Sequence, residues 1–223
     1  MMAEVAETWE RVYAESKQHS QWPWSKLVSY IKRYNPRASL RNQRVLELGC
    51  GVGANVPFFE VENALYYGID ISEVAVATVK KVFPNVANRV HHAALDQPFT
   101  WSEFDLIFDR AATPHNSWST VQKIVAQVRK HLKPGGIFIG VDWFSSKNGY
   151  ASLGQGITGD TATRLDLPPG PYQGLEPIRF FSKKEIEELF KGFEFLMLLE
   201  ETTAFSIPSN MPSVSSWDFV VRR

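Results

Sequence analysis

Three glycines at alternate positions, Gly49, Gly51 and Gly53 in "VLELGCGVGANVPFF" (45–59), and an acid 19 residues after the second of them, Asp70 in "YYGIDIS", are the residues best spaced for chemistry. Glycine tolerates positive φ and lets a ligand approach the main chain with no Cβ in the way. If an apolar strand ends at Gly49 and a helix starts near Gly53, unpartnered backbone N–H groups face a crevice at the carboxyl end of a sheet. An acid about 20 residues on matches a carboxylate that bonds a ribose hydroxyl pair. The spacing is G-x-G-x-G, without the last glycine of the dinucleotide fingerprint G-x-G-x-x-G. The plainer alternative is a set of tight-turn glycines and an Asp that opens the next loop.

A second group of polar residues could serve an acceptor. The loop "AATPHNSW" follows the apolar run "FDLIFDR" and offers Arg110, His115 and Asn116. His115 is a candidate general base because imidazole titrates near neutral pH, the alternative being a helix cap or a ring packed on Trp118. Asp109 and Asp142 lie at or near the ends of apolar runs, where a charge must be paired or face a crevice. Either could bond an acceptor or hold Arg110, and Asp142 is the one expected to face the acceptor. His91 and His92 are adjacent, point to opposite faces of a strand and make poor joint metal ligands, so no metal site is expected. Cys50 has no visible base beside it and fills space between two turn glycines.

These residues need a frame, and short apolar runs supply it. "RVLELG" (44–49), "ALYYGID" (64–70), "RVHHAAL" (89–95), "FDLIFDR" (104–110) and "GGIFIGVDWF" (135–144) read as buried strands. Helical spacing lies between them in "GANVPFFEV", in "SEVAVATVKKVF" with Ser72 as N-cap, and in "SWSTVQKIVAQVRKHLKPGG" with Ser117 or Ser119 as cap. The alternation implies a mainly parallel sheet covered on both faces. Residues 145–179, rich in Gly and Pro, read as a long excursion and a lid over the acceptor site, with Tyr150, Gln155, Thr158, Asp160, Arg164 and Tyr172 as polar groups suited to a hydroxylated ligand. A helix "SKKEIEELFKGF" and the strands "FEFLMLLEETTAF" and "SSWDFVVRR" return to the sheet. The first 40 residues read as a cap of two helices split at Pro23, with Trp9, Trp22 and Trp24 either covering the first helix layer or walling the acceptor pocket.

Composition narrows the function. The 223 residues suit one domain, 1–223, and 24 basic against 24 acidic side chains give a formal charge of zero with no like-charge run. Nucleic acid and anionic membranes are therefore not expected partners. One cysteine, no signal-like start and no long apolar span fit a cytoplasmic protein.

"VLELGCGVGANVPFF" resembles the E-x-G-x-G-x-G first motif of class I S-adenosylmethionine-dependent methyltransferases, and "GIDIS", "ALDQPF" and "HLKPGGIFI" fit the same family over about residues 40–145. The resemblance implies an α/β fold, a Rossmann-like three-layer sandwich whose seven-stranded, mainly parallel sheet has an antiparallel last strand. It implies S-adenosyl-L-methionine over the turn of Glu47, Gly49, Gly51 and Gly53, with Asp70 on the ribose and Asp96 near the adenine. Ile71 and Asp109 complete the cofactor set. "QWPWSKLV", "DRAATPHN" and "GVDWFS" are similar to small bacterial methyltransferases of surface-polysaccharide and cell-envelope loci. The expected reaction is methyl transfer to a small-molecule acceptor, a hydroxyl of a sugar or sugar-containing metabolite such as a nucleotide-sugar, with His115 and Asp142 as catalytic groups, in a monomer or homodimer. Two rivals stand: a non-catalytic S-adenosylmethionine-binding module, and a nicotinamide oxidoreductase. The second is disfavoured because the only Tyr-x-x-x-Lys, Tyr13 to Lys17, precedes the cofactor strand.

Overall fold

The fold is taken from a computed structural model that describes residues 2–15, 20–101 and 103–223. In chain order the elements are α1 (Met2–Ala14), α2 (Ser25–Tyr34), β1 (Arg44–Leu48), α3 (Val56–Val61), β2 (Leu65–Asp70), α4 (Glu73–Val82), β3 (Val90–His92), β4 (Phe104–Arg110), α5 (Trp118–His131) and β5 (Leu132–Phe144). Then come β6 (Gln155–Ile157), β7 (Asp160–Leu165), β8 (Ile178–Arg179), α6 (Lys183–Leu189), β9 (Glu194–Thr203) and β10 (Val214–Arg222). Lys17 lies outside the described residues.

Seven strands form one sheet in the order β3-β2-β1-β4-β5-β10-β9. The pairs among the first five are parallel, and β10 runs antiparallel to both β5 and β9. The expected seven-stranded sandwich is thus present, its last strand reversed. Alternation along the strands divides the core into two layers. Val45, Tyr66, Leu106 and Phe108 pack with Leu27 and Ile31 of α2, Phe59 of α3 and Val76 and Val79 of α4. Leu46, Ile69, Ile107 and Phe138 pack with Val121, Ile124 and Val128 of α5 and Ile186 of α6.

The sequence also explains where helices begin. Ser72 caps α4 by accepting from Ala75 N (3.1 Å), and Ser182 with Glu185 forms a reciprocal capping box at α6. No helix among the described residues is long and apolar enough to cross a membrane.

Residues 145–179 hold more order than their Gly and Pro content implies. Strands β6, β7 and β8 form a separate three-stranded antiparallel sheet. Its underside is a third apolar cluster of Phe144, Tyr150, Leu167, Tyr172, Ile178 and Phe180. The buried Arg179 guanidinium pairs with Asp160 of β7 and ties this sheet to the main body through Glu185 of α6 and the Trp118 ring, over which it lies at 4.4 Å. Long gaps between the apolar residues hide this small core from a period-based reading.

Candidate active site

One cavity of about 520 Å³ opens at the carboxyl ends of the parallel strands, a volume in the usual range for a small-ligand site. Its floor is built locally, from the turns after β1 and β2. Gly49 and Gly51 adopt φ of 72° and 51°, which a side chain would strain, and a Cβ at Gly49 would lie 2.2 Å from Ala112 Cβ. Asp70 closes the turn: its Oδ2 accepts from Gly51 N (2.7 Å) and its Oδ1 from Ser72 N (2.9 Å). Burial raises its pKa to about 6 against the pull of those N–H groups.

Strand alternation places Glu47 on the same face as Val45, among α2, α3 and α4, and brings it to the cavity floor. Asn55 Nδ2 donates to its Oε1 (2.7 Å) and Tyr66 Oη to its Oε2 (2.5 Å). Ile71 and Asp96 also line the cavity, and Lys123 Nζ lies 3.7 Å from Asp96. Gly53 does not line it; at φ 86° it turns the chain beneath the Phe83 ring.

Asp109 stands apart from the expected cofactor set. Along β4, Leu106 and Phe108 belong to the α2–α4 layer and Ile107 to the α5 layer, so Asp109 points away from the cavity and Arg110 toward it. Fully buried, Asp109 accepts from Ala112 N (2.8 Å) and Thr113 N (3.2 Å) and shapes the loop that carries His115.

The other end of the cavity is assembled from distant segments. Arg110 lies with its guanidinium carbon 3.6 Å from the centre of the Trp24 ring and donates from Nε to Asp142 Oδ2 (3.2 Å). Lys26, on α2, reaches Asp142 (3.4 Å), Asp218 (2.9 Å) and Glu201. Asp142 is held at φ 56°, its N–H bonded to Asp218 Oδ1 (2.8 Å). This residue breaks the alternation of β5: Val141 and Trp143, two apart, fall in opposite layers. The irregularity lets Asp142 and Phe144 line the cavity together. Asp142 thus both pairs with cations and faces the cavity, joining the two alternatives read from the sequence.

His115 also lines the cavity, and Asn116 beside it. Its Nδ1–H donates to the Leu175 carbonyl (2.8 Å), which leaves Nε2 as the acceptor nitrogen of a neutral ring. Burial lowers its pKa to about 4, while the carbonyls of Leu175 and Pro177 pull it partly back.

Helix α1 crosses the mouth. Glu10 accepts from Ser72 Oγ (2.6 Å) and Val74 N (3.3 Å) at the start of α4, a favourable end for a carboxylate. Tyr13 stands over Gly51, Trp9 meets His115 edge-on with centroids 4.8 Å apart, and Arg11 reaches the Gly174 carbonyl (3.5 Å). Val5, Trp9 and Tyr13 therefore line the cavity, as the pocket-wall reading of the N-terminal cap expects. Lys26, Asn55, Tyr66 and Glu201 were not found by spacing. Only Asn55 carries a local signal, as the residue before α3. Cys50 is buried in the floor, and His91 and His92 pack on Trp101 and bond the Ile71 carbonyl. No group of residues able to hold a metal ion occurs among the described residues.

Residues 45–136 match the sequence model of a methyltransferase domain. Over 106 residues the chain is 36% identical to an uncharacterized methyltransferase of Synechocystis, covering 48% of this chain and 50% of that one. Over 127 residues it is 35% identical to probable thiol methyltransferase 2 of Arabidopsis thaliana, covering 53% and 54%. The chain spans about half the length of the curated relatives it matches. The fold matches Burkholderia thailandensis 1,6-didemethyltoxoflavin-N1-methyltransferase, solved with S-adenosylhomocysteine, at TM-score 0.69 and 15% identity, over 99% of this chain and 88% of that one. An S-adenosylmethionine-dependent methyltransferase of Methanosarcina mazei matches at TM-score 0.66 and 16% identity, over 91% and 98%.

The floor fits such a cofactor on its own terms: the Asp70 carboxylate and the glycine turn line the cavity together, beside buried carboxyls without an ion-pair partner among the described residues. Residues 45–136 therefore match a methyltransferase domain set in a fold shared with solved methyltransferases, and S-adenosylmethionine is the cofactor that the floor fits.

Proposed function

We propose that the chain transfers a methyl group from S-adenosylmethionine to a small-molecule acceptor held against Trp24, Arg110 and Asp142. The observation that carries this reading is that one cavity is lined by both the Gly51–Asp70 floor and the Arg110–Asp142 wall. When bound, S-adenosylmethionine supplies an already activated methyl group. The chain's own residues need only align the acceptor behind it, exclude water and hold the acceptor's proton.

Asp142 is the group we assign to that proton. It stands at the cavity wall with its side chain 26% exposed, and Lys26 and Arg110 fix its two oxygens. His115 suits a hydrogen-bonding role better: a proton taken there would leave a buried cation near the Arg110 charge, a cost that the Leu175 and Pro177 carbonyls offset only in part. Helix α1 and the 171–175 loop exclude water from above.

The acceptor we favour is a hydroxyl of a sugar or sugar-containing metabolite. An aromatic platform (Trp24, Phe144, Tyr172) beside charged and hydroxyl groups (Arg110, Asp142, Glu201, Ser216) suits a ring with several hydroxyls. The proteins with a similar sequence or fold carry names for thiol, sterol and toxoflavin methyl transfer, so the panel must be broad. The test is formation of S-adenosylhomocysteine with sugars, nucleotide-sugars, thiols and amines. A preference for hydroxylated acceptors that falls at least tenfold in Asp142→Asn supports the reading. Turnover confined to thiols or amines, or unaffected by Asp142→Asn, overturns the acceptor and the base. No turnover with intact cofactor binding favours the non-catalytic module.

A further inference from the structure

The cofactor floor and the strand end beside it hold more buried carboxyl groups than the chain neutralises. Glu47, Asp70 and Asp109 sit near the ends of the adjacent parallel strands β1, β2 and β4. None of the three has an ion-pair partner among the described residues, and Glu47 is 3% exposed. Both Glu47 oxygens are bonded to neutral groups, Tyr66 Oη and Asn55 Nδ2. Burial pushes its pKa up to about 8; the two hydrogen bonds lower it, while Asp70 and Asp109 add repulsion. Tyr13 of α1 and Cys50 of the turn face the same space and stay neutral, both raised by burial. His92 acts on Asp70, and Arg110 on Tyr13. At neutral pH the free protein therefore holds Glu47 chiefly as the uncharged acid.

The two ligands this cavity must handle differ in charge. S-adenosylmethionine is a sulfonium cation, and its spent form, S-adenosylhomocysteine, is a neutral thioether with the same amino-acid and adenosine parts. We propose that Glu47 distinguishes the cofactor from its product, giving up its proton to solvent when the sulfonium binds and keeping it when the thioether binds. This rests on the cofactor assigned to the cavity. Because a proton is released, affinity for the sulfonium relative to the thioether rises with pH, by up to about tenfold per unit. The rise ends near pH 8, where Glu47 ionises without help. Asp70, at about 6, titrates mainly below this window.

The test is calorimetric titration of the full chain with each ligand, in phosphate and in Tris, whose ionisation heats differ and so count protons. At pH 7 the sulfonium is expected to release about half a proton or more in excess of the thioether. Titration of the ligands' shared amino group cancels in that difference. The affinity ratio should climb at least tenfold from pH 6 to 8, and Glu47→Gln should abolish both effects. Tyr66→Phe, which removes a bond to the charged form, should move the climb to higher pH, a readout that stands even if Glu47→Gln does not fold. Equal proton counts in the native chain, or an excess that survives Glu47→Gln, overturns the proposal and leaves the cofactor assignment intact. Absence of binding by both ligands overturns the assignment itself.

Discussion

The two ends of the cavity are built in opposite ways. The floor comes from one continuous stretch, residues 47–96, in which each group sits at a strand end or in the turn that follows it. The wall draws Lys26 from α2, Arg110 from β4, Asp142 from β5, Tyr172 and Leu175 from the insertion, and Glu201 from β9. A floor made of backbone and adjacent strand ends is set by the sheet itself. A wall made of five segments can be changed at any of them without disturbing the floor, which is how one domain can serve many acceptors.

Three substitutions probe that division, taken from the largest expected effect. Gly49→Ala strikes where the two ends touch, since its Cβ would meet Ala112 at 2.2 Å on a residue already at positive φ. It should cost about 2–4 kcal/mol in denaturant unfolding and weaken S-adenosylmethionine at least 100-fold. A change below about 1 kcal/mol would mean the β4–α5 loop yields freely and the ends are looser than described.

His115 tests the wall through pH. Its folded pKa, about 4, is below the ordinary 6.5, so the unfolded chain binds the proton first as pH falls. The stability it gives is complete above pH 6.5 and is lost between 6.5 and 4, by about 3 kcal/mol at most. His115→Gln should remove this acid-side loss, and unfolding profiles of the two proteins between pH 4 and 7 compare it directly. Parallel profiles would mean the ring is solvated.

Glu10→Ala sharpens the role of α1. Losing its bonds to Ser72 and Val74 should weaken S-adenosylmethionine about tenfold and expose α1 to protease in the free protein. Unchanged binding would confine α1 to the acceptor end.

The same division governs what the amino-acid sequence reveals. The floor is legible because its signals are short-range: alternate glycines, an acid 19 residues on, Ser72 before a helical period. Of the expected cofactor set, Gly53 and Asp109 do not line the cavity, and for Asp109 the alternation in "FDLIFDR", which puts Leu106, Phe108 and Arg110 on one face, carries the signal. The wall is not legible, because Lys26 and Glu201 are 175 positions apart and meet only through the sheet order. Asp142 was found by its polarity within an apolar run, but the positive φ that turns it toward the cavity has no glycine to announce it. The insertion hid its core for a related reason: six apolar residues spread over 144–180 have neither period.

The central claim is that cofactor and acceptor are held by separable parts of one cavity. Calorimetric titration of the native chain, Asp70→Ala and Asp142→Asn with S-adenosylmethionine tests it most directly. The account predicts that Asp70→Ala, which strips the acceptor from Gly51 and Ser72 N–H, loses at least 100-fold in affinity, and that Asp142→Asn stays within about threefold of the native chain. Equal losses in the two variants, or native affinity in Asp70→Ala, would contradict it.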